Sequence, residues 1–128
     1  TSLSNLITIA NEESNWKFSL REFEPLQYTI YNIGDHYDWH IDSHKKPYEN
    51  GLIRKLSFTL CLNDDFEGGE FSICNPHPIS EKTKIYTFDT FKKGTMIVFP
   101  SHVWHKVGKV TKGTRKTLVG WVVGTQFA

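Results

Sequence analysis

The chain has 128 residues, 38% hydrophobic and 14% aromatic, enough for one globular domain over residues 1–128 with a modest core, and too apolar for disorder. A formal net charge of +1 gives no overall field toward nucleic acid or an anionic membrane, so neither is expected as a partner. There is no apolar run of membrane-span length and no signal-peptide pattern; the reading is a cytoplasmic protein whose opening Thr1-Ser2-Leu3-Ser4 looks like the middle of a longer chain.

Leu3, Leu6, Ile7 and Ala10 recur at helical spacing behind two possible N-caps, Ser2 and Ser4, which predicts a short amphipathic helix over 3–12. From there β signals dominate. Residues 18–23, 26–31 and 37–41 alternate or carry branched and aromatic side chains, and Asn32-Ile33-Gly34-Asp35 reads as a hairpin turn. The polar stretch Ser43 to Gly51 is a candidate lid or substrate loop. Arg54 to Asn63 is the cleanest strand, with Leu56, Phe58, Leu60 and Leu62 on one face and Ser57, Thr59 and Cys61 on the other. The polar set is expected to face a ligand cavity. The apolar row should then lie outside, covered in part by the helix, with a second copy of the chain or a preceding segment completing the cover. After the turn Asp64 to Gly69, strands are predicted at 70–73, 84–88, 95–99, 104–110 and 114–123, the last two paired through Lys112-Gly113. Short strands separated by turn residues mean an all-β sandwich or barrel. Cys61 and Cys74 are read as free thiols of a reducing compartment.

On a strand, residues two apart point the same way, so His40 and Asp42 would converge on one point. A His-x-Asp pair alone is a weak signal, but this one ends a predicted strand beside a long polar loop, where a cleft would open. His105 begins the alternating run His105-Lys106-Val107, whereas His102 follows Pro100-Ser101 and belongs to the turn; His105 is therefore preferred as the second imidazole. Two histidines and one carboxylate suit non-haem Fe(II) and leave an open side for O2 and a co-substrate. Arg115 shares a face with Thr117, Val119 and Trp121. If that face points inward, its guanidinium needs an anion, and a dicarboxylate co-substrate would supply one.

The segment Tyr31-Asn-Ile-Gly34-Asp-His-Tyr37-Asp-Trp-His40-Ile-Asp42 resembles the metal-binding segment of the prolyl 4-hydroxylase-like branch of the Fe(II)/2-oxoglutarate-dependent oxygenases. Arg54 to Asn63 is similar to that family's next core strand, and Phe66-Glu-Gly-Gly-Glu70-Phe71 to its glycine turn. Phe99-Pro-Ser-His-Val-Trp-His105-Lys-Val107, then Gly113-Thr-Arg115 and Gly120-Trp121, resemble its distal-histidine segment. The four blocks occur in the family's order over residues 25–124.

The resemblance implies a double-stranded β-helix, a jelly-roll barrel of two sheets, with a short helix in front. It implies His40, Asp42 and His105 as Fe(II) ligands and Arg115 on the distal carboxylate of 2-oxoglutarate. It places Tyr31, Thr59 and Thr117 around the co-substrate, and Tyr37 and Trp121 beside the metal. Some relatives hold the distal carboxylate with a tyrosine where this chain has Cys61, so Tyr31 or Thr117 would substitute. The implied activity is C–H hydroxylation of a peptidyl proline or similar residue, using O2, yielding succinate and CO2, with ascorbate a candidate accessory and the 43–54 loop closing over a peptide or protein. The alternatives are a hydroxylase of a free amino acid or small metabolite, and a catalytically silent β-barrel binding module.

Overall fold

A computed structural model describes residues 3–43, 47, 48, 50–75, 78, 83–89 and 91–125. In chain order it contains α1 (Leu3–Glu13), β1 (Leu20–Phe23), β2 (Gln27–Tyr31), β3 (Tyr37–His40), β4 (Ile53–Cys61), β5 (Glu67–Gly68), β6 (Phe71–Asn75), β7 (Lys84–Thr87), β8 (Met96–Pro100), β9 (Trp104–Val107), β10 (Val110–Lys112) and β11 (Arg115–Gly124). The described residues are therefore mostly β with one short helix, as the sequence predicts. Residues 44–46 and 49 of the predicted lid, His44 among them, lie outside the described residues, as do Pro76 and His77. No helix among the described residues is long and apolar enough to cross a membrane.

Two antiparallel sheets form the barrel. The larger runs β1-β11-β4-β8, with β2 also paired to β11; the smaller runs β3-β9-β6-β7; β10 and β5 form a separate ribbon. Consecutive strands thus mostly change sheet, which corrects two local expectations. Asn32 to Asp35 does not close a hairpin, because β2 and β3 belong to opposite sheets. The His105 and Arg115 strands are not paired either: β9 lies between β3 and β6, while β11 lies against β4, β1 and β2. The predicted strand 104–110 breaks after Val107, and its continuation β10 pairs with β5, carrying the chain across to the other sheet. Side-chain alternation reveals which face a residue takes, but not which strand lies beside it.

The register of β11 on β4 sets Val122 beside Leu56 and Gly120 beside Phe58 on one face, and Val119 beside Thr59 and Thr117 beside Cys61 on the other. The first face is the outer one. Leu56, Phe58 and Val122 are buried there under Ile7 of α1, with Leu3, Trp16, Phe18, Leu20, Met96 and Val98 around them. Asn11 fastens the helix down: its side chain donates to the Phe18 carbonyl and accepts from the Phe18 N–H, at 3.0 and 2.9 Å. The helix covers only this part of the face; Leu26, Tyr28 and Ile30 remain exposed. Leu56 is fully buried, so Leu56→Ala should cost about 3 kcal/mol through lost burial plus the cavity left behind, read as a lower urea midpoint with unchanged slope.

A second cluster fills the space between the sheets: Phe71, Ile97, Phe99 and Val107, flanked by Tyr31, Ile73, Phe88, Phe91 and Val103. Phe71 and Phe99 pack with ring centroids 5.4 Å apart, and both rings lean on His105, at 5.8 and 4.6 Å. This aromatic floor immobilises one imidazole of the candidate site. Both cysteines are buried and free.

Candidate metal centre and co-substrate cavity

Between the sheets lies a cavity of about 470 Å³. Tyr31, Tyr37, His40, Asp42, Thr59, His105, Arg115, Thr117 and Trp121 all line it, so every residue that the sequence reading placed in the site borders the same space. His102, by contrast, is exposed in the turn that precedes β9.

His40 and His105 face each other on paired strands. Each directs Nδ1 at a backbone carbonyl two residues earlier, Asp38 at 2.7 Å and Val103 at 2.9 Å. A carbonyl can only accept, so both rings donate through Nδ1 and turn Nε2 toward Asp42, the atom whose lone pair would serve a metal once it is unprotonated. Those Nε2 atoms lie 3.6 and 3.3 Å from Oδ1 of Asp42. All three donor atoms fall within 4.8 Å of one another.

Asp42 reaches this point by a different route from the one alternation suggests. β3 ends at His40, and Asp42 sits past the strand end, its N–H donating to the Ser101 carbonyl at 2.9 Å. The second carboxylate oxygen, Oδ2, accepts from Ser57 Oγ at 2.6 Å and Trp121 Nε1 at 2.9 Å, and Ser101 Oγ stands 2.9 Å behind Ser57 Oγ. One oxygen is thus held by the protein while the other turns toward the imidazoles.

Burial by itself pushes the Asp42 carboxyl up, but the hydrogen bond and charge of His105 and the donors Ser57 and Trp121 outweigh it, bringing the group down to about 2. A folded-state value below the ordinary one means the stabilisation is complete above pH ~4 and is lost as pH falls through about 2. The stability advantage of the metal-free protein over Asp42→Asn should therefore shrink between those limits in acid-denaturation curves. His40 is shifted below its usual range, chiefly by burial and further by His105, against the opposing bond to Asp38. A neutral imidazole is the form that ligates a metal.

At another part of the wall stands Arg115, 3% exposed. Its Nε donates to the Gly69 carbonyl at 3.0 Å, and the rings of Tyr31 and Phe91 flank the guanidinium at 5.7 and 5.2 Å. Burial is the main influence pulling its pKa down, partly offset by Tyr31 and Cys61. Arg115 Nη2 and Thr117 Oγ1 are buried and find no hydrogen-bond partner among the described residues. Such groups cost free energy unless something fills the space between them. The single proton of the Cys61 thiol has the carbonyls of Asn63 and Phe91 as acceptors, at 2.8 and 3.2 Å.

Sequence reasoning missed four contributors. Alternation puts Ser57 on the cavity face but names no partner for it, and Ser101 has only a turn signal. Gly69 has φ +65°, and a Cβ there would stand 2.8 Å from Arg115 Cδ, so the arginine passes where only glycine leaves room. Arg54, stacked 3.9 Å over the Trp121 ring, carried no local signal.

A two-sheet jelly-roll barrel with two imidazoles, a carboxylate and an unmatched arginine on one cavity defines the class of double-stranded β-helix proteins with a 2-His-1-carboxylate centre. Comparison narrows this: the model of the 2OG-Fe(II) oxygenase superfamily matches residues 26–123, and the chain belongs to that family. It is 36% identical over 94 residues to a PKHD-type hydroxylase of Idiomarina loihiensis, covering 72% of this chain and 38% of the relative. It is also 36% identical over 110 residues to a PKHD-type hydroxylase of Gloeothece citriformis, covering 80% and 44%. The chain thus spans about two fifths of the length of these relatives. The fold is similar to that of a prolyl-4-hydroxylase from Pseudomonas putida, at a TM-score of 0.70 and 22% identity over 95% of this chain and 63% of that one. It is similar, too, to a prolyl hydroxylase from Trichoplax adhaerens in complex with a hypoxia inducible factor peptide fragment, at 0.63 and 17% over 94% and 55%.

Fe(II), 2-oxoglutarate and O2 are the cofactor and co-substrates of this family. The residues present fit them: the Nε2, Nε2, Oδ1 donor set suits a divalent metal, and the orphaned Nη2 and Oγ1 atoms suit a carboxylate.

Proposed function

We propose that this chain is the catalytic domain of a 2-oxoglutarate-dependent dioxygenase that hydroxylates a C–H bond of a peptidyl proline or a similar residue, releasing succinate and CO2. The observation that carries the reading is the pair of buried, unpartnered groups, Arg115 Nη2 and Thr117 Oγ1, on the cavity that also holds the His40, Asp42 and His105 donors. A metal centre alone has no use for a buried cation; a chelating co-substrate with a distal carboxylate accounts for both.

In this reading His40, Asp42 and His105 hold Fe(II) through Nε2, Oδ1 and Nε2. Arg115 and Thr117 take the distal carboxylate of 2-oxoglutarate, and Thr117 supplies the second anchor that Cys61 cannot. Tyr31 and Thr59 line the co-substrate, while Tyr37, whose ring centroid lies 3.7 Å from that of His40, borders the substrate side with Trp121. The chemistry supplied here when these groups are bound is O2 activation coupled to decarboxylation of 2-oxoglutarate. The protein contributes orientation. Ser57 and Trp121 fix the carboxylate, backbone carbonyls fix both imidazole tautomers, and the aromatic floor of Phe71 and Phe99 keeps water from one side. A peptide substrate is supported by the peptide complex of the Trichoplax adhaerens neighbour.

The test is succinate release from purified protein given Fe(II) and 2-oxoglutarate. Stimulation by proline-containing peptides supports the full reading. Stimulation by free amino acids alone would move it to small-molecule hydroxylation, and no succinate under any condition would leave a binding module. Gly69→Ala provides a second check, because its methyl group must displace Arg115. It should weaken 2-oxoglutarate binding roughly tenfold, the loss of about one charge-assisted hydrogen bond, with Mn(II) affinity unchanged in calorimetric titration.

A further inference from the structure

Around Trp121 is a chain of contacts that touches the metal-donor residues at one point only, Asp42 Oδ2. Glu24, which follows β1, is its hub. One carboxylate oxygen accepts from Arg54 Nε at 3.0 Å and Arg54 Nη2 at 2.9 Å, and the other accepts from the Tyr48 hydroxyl. Glu24 is also tied to the indole's own backbone, its N–H donating to the Trp121 carbonyl at 2.9 Å. The clamped guanidinium lies 3.9 Å over the centroid of the Trp121 ring. Trp121 Nε1 in turn donates to Asp42 Oδ2 at 2.9 Å.

We infer that Glu24 and Arg54 are positioning residues for the Asp42 carboxylate, acting through Trp121. This rests on the reading of His40, Asp42 and His105 as metal ligands. Trp121 lies in the cavity wall, where a ring has fewer neighbours to fix its rotation than in a core. A planar guanidinium laid on its face removes that freedom, and the carboxylate of Glu24 keeps the guanidinium flat. The indole N–H therefore points in one direction and, with Ser57 Oγ, sets the carboxylate so that Oδ1 turns toward both Nε2 atoms. Arg54 also borders the cavity and so could be taken for an anchor of an acidic substrate. Two of its nitrogens are already engaged by Glu24, in an ion pair whose side chains are each less than one-fifth exposed, which favours the positioning role.

The experiment is a double-mutant cycle on the full chain, read by Co(II) titration with visible absorption as the probe of ligand geometry. Trp121→Phe keeps a ring under Arg54 but deletes the donor, and should weaken Co(II) binding by roughly 10–100-fold, the usual worth of an outer partner to a metal ligand. Arg54→Met keeps an apolar cover but frees the indole, and should weaken binding roughly tenfold with an altered Co(II) spectrum. In the Trp121→Phe background the same Arg54→Met change should have almost no further effect, because its route to Asp42 is gone. An equal loss in both backgrounds, or none in either, overturns the inference. If Arg54→Met does not fold, Glu24→Gln enters the same cycle, with a smaller loss expected and the same criterion. His40→Ala separates the two levels of argument: Co(II) affinity and spectrum unchanged in that variant would overturn the ligand assignment itself.

Discussion

Asp42→Ala should abolish metal binding between His40 and His105 and every metal-dependent turnover with it. Asp42 provides the only carboxylate among the three converging donors. Its removal leaves two neutral imidazoles, a poor set for a hard divalent ion such as Fe(II) or Mn(II). The loss should exceed the roughly 10–100-fold effect typical of outer partners, since a ligand and a neutralising charge disappear together. The substitution also takes the acceptor from Trp121 Nε1 and leaves Ser57 Oγ with only Ser101 Oγ. Asp42→Asn keeps an oxygen for those donors and should preserve more of the fold than Asp42→Ala while still losing most metal affinity. His102→Ala, altering an exposed turn histidine, should bind metal as the unmodified chain does. Calorimetric titration with Mn(II), alongside a melting curve, checks all three. Retained Mn(II) affinity in Asp42→Ala would remove the carboxylate from the centre.

Arg115→Ala should reduce 2-oxoglutarate binding at least a hundredfold while leaving metal affinity nearly intact. Arg115 is 3% exposed and its Nε donates to the Gly69 carbonyl. A carboxylate carried into that space without it would be a buried charge with no counter-ion, and breaking such a pair costs about 3–5 kcal/mol, a factor of at least a hundred. Arg115→Lys should fall between the two. The ammonium keeps the charge, but it cannot bond Gly69 through Nε and present a second nitrogen to the carboxylate at the same time. Thr117→Val, which replaces the buried hydroxyl by a methyl group, should cost a smaller factor in the same direction. Titration of 2-oxoglutarate into the Mn(II)-loaded protein separates these variants. Equal affinities across the series would remove the distal-carboxylate pocket from the proposal.

The sequence by itself determined the face that each residue of the longest strands takes. Residues of β4 and β11 alternate with period two whatever their neighbours, so Thr59 and Thr117 were assignable to the cavity and Leu56 and Phe58 to the outer core under α1. It also determined the residue types of the site, because few side chains ligate a metal or fork onto a carboxylate. His40, Asp42, His105 and Arg115 were therefore visible as a set before any contact was known. Only the tertiary structure decided which strands lie side by side. His105 and Arg115, ten positions apart, stand in opposite sheets and both line the cavity, where a local reading pairs their strands. Strand partnership is settled by closing the barrel, a long-range process to which the short β10–β5 ribbon contributes a change of sheet. The same closure creates the supports that no spacing reveals. Ser101 meets Asp42 across fifty-nine positions of chain, and Glu24 meets Arg54 across thirty. Such residues carry ordinary surface or turn signals in sequence, and acquire a role only when two sheets bring them within hydrogen-bond distance.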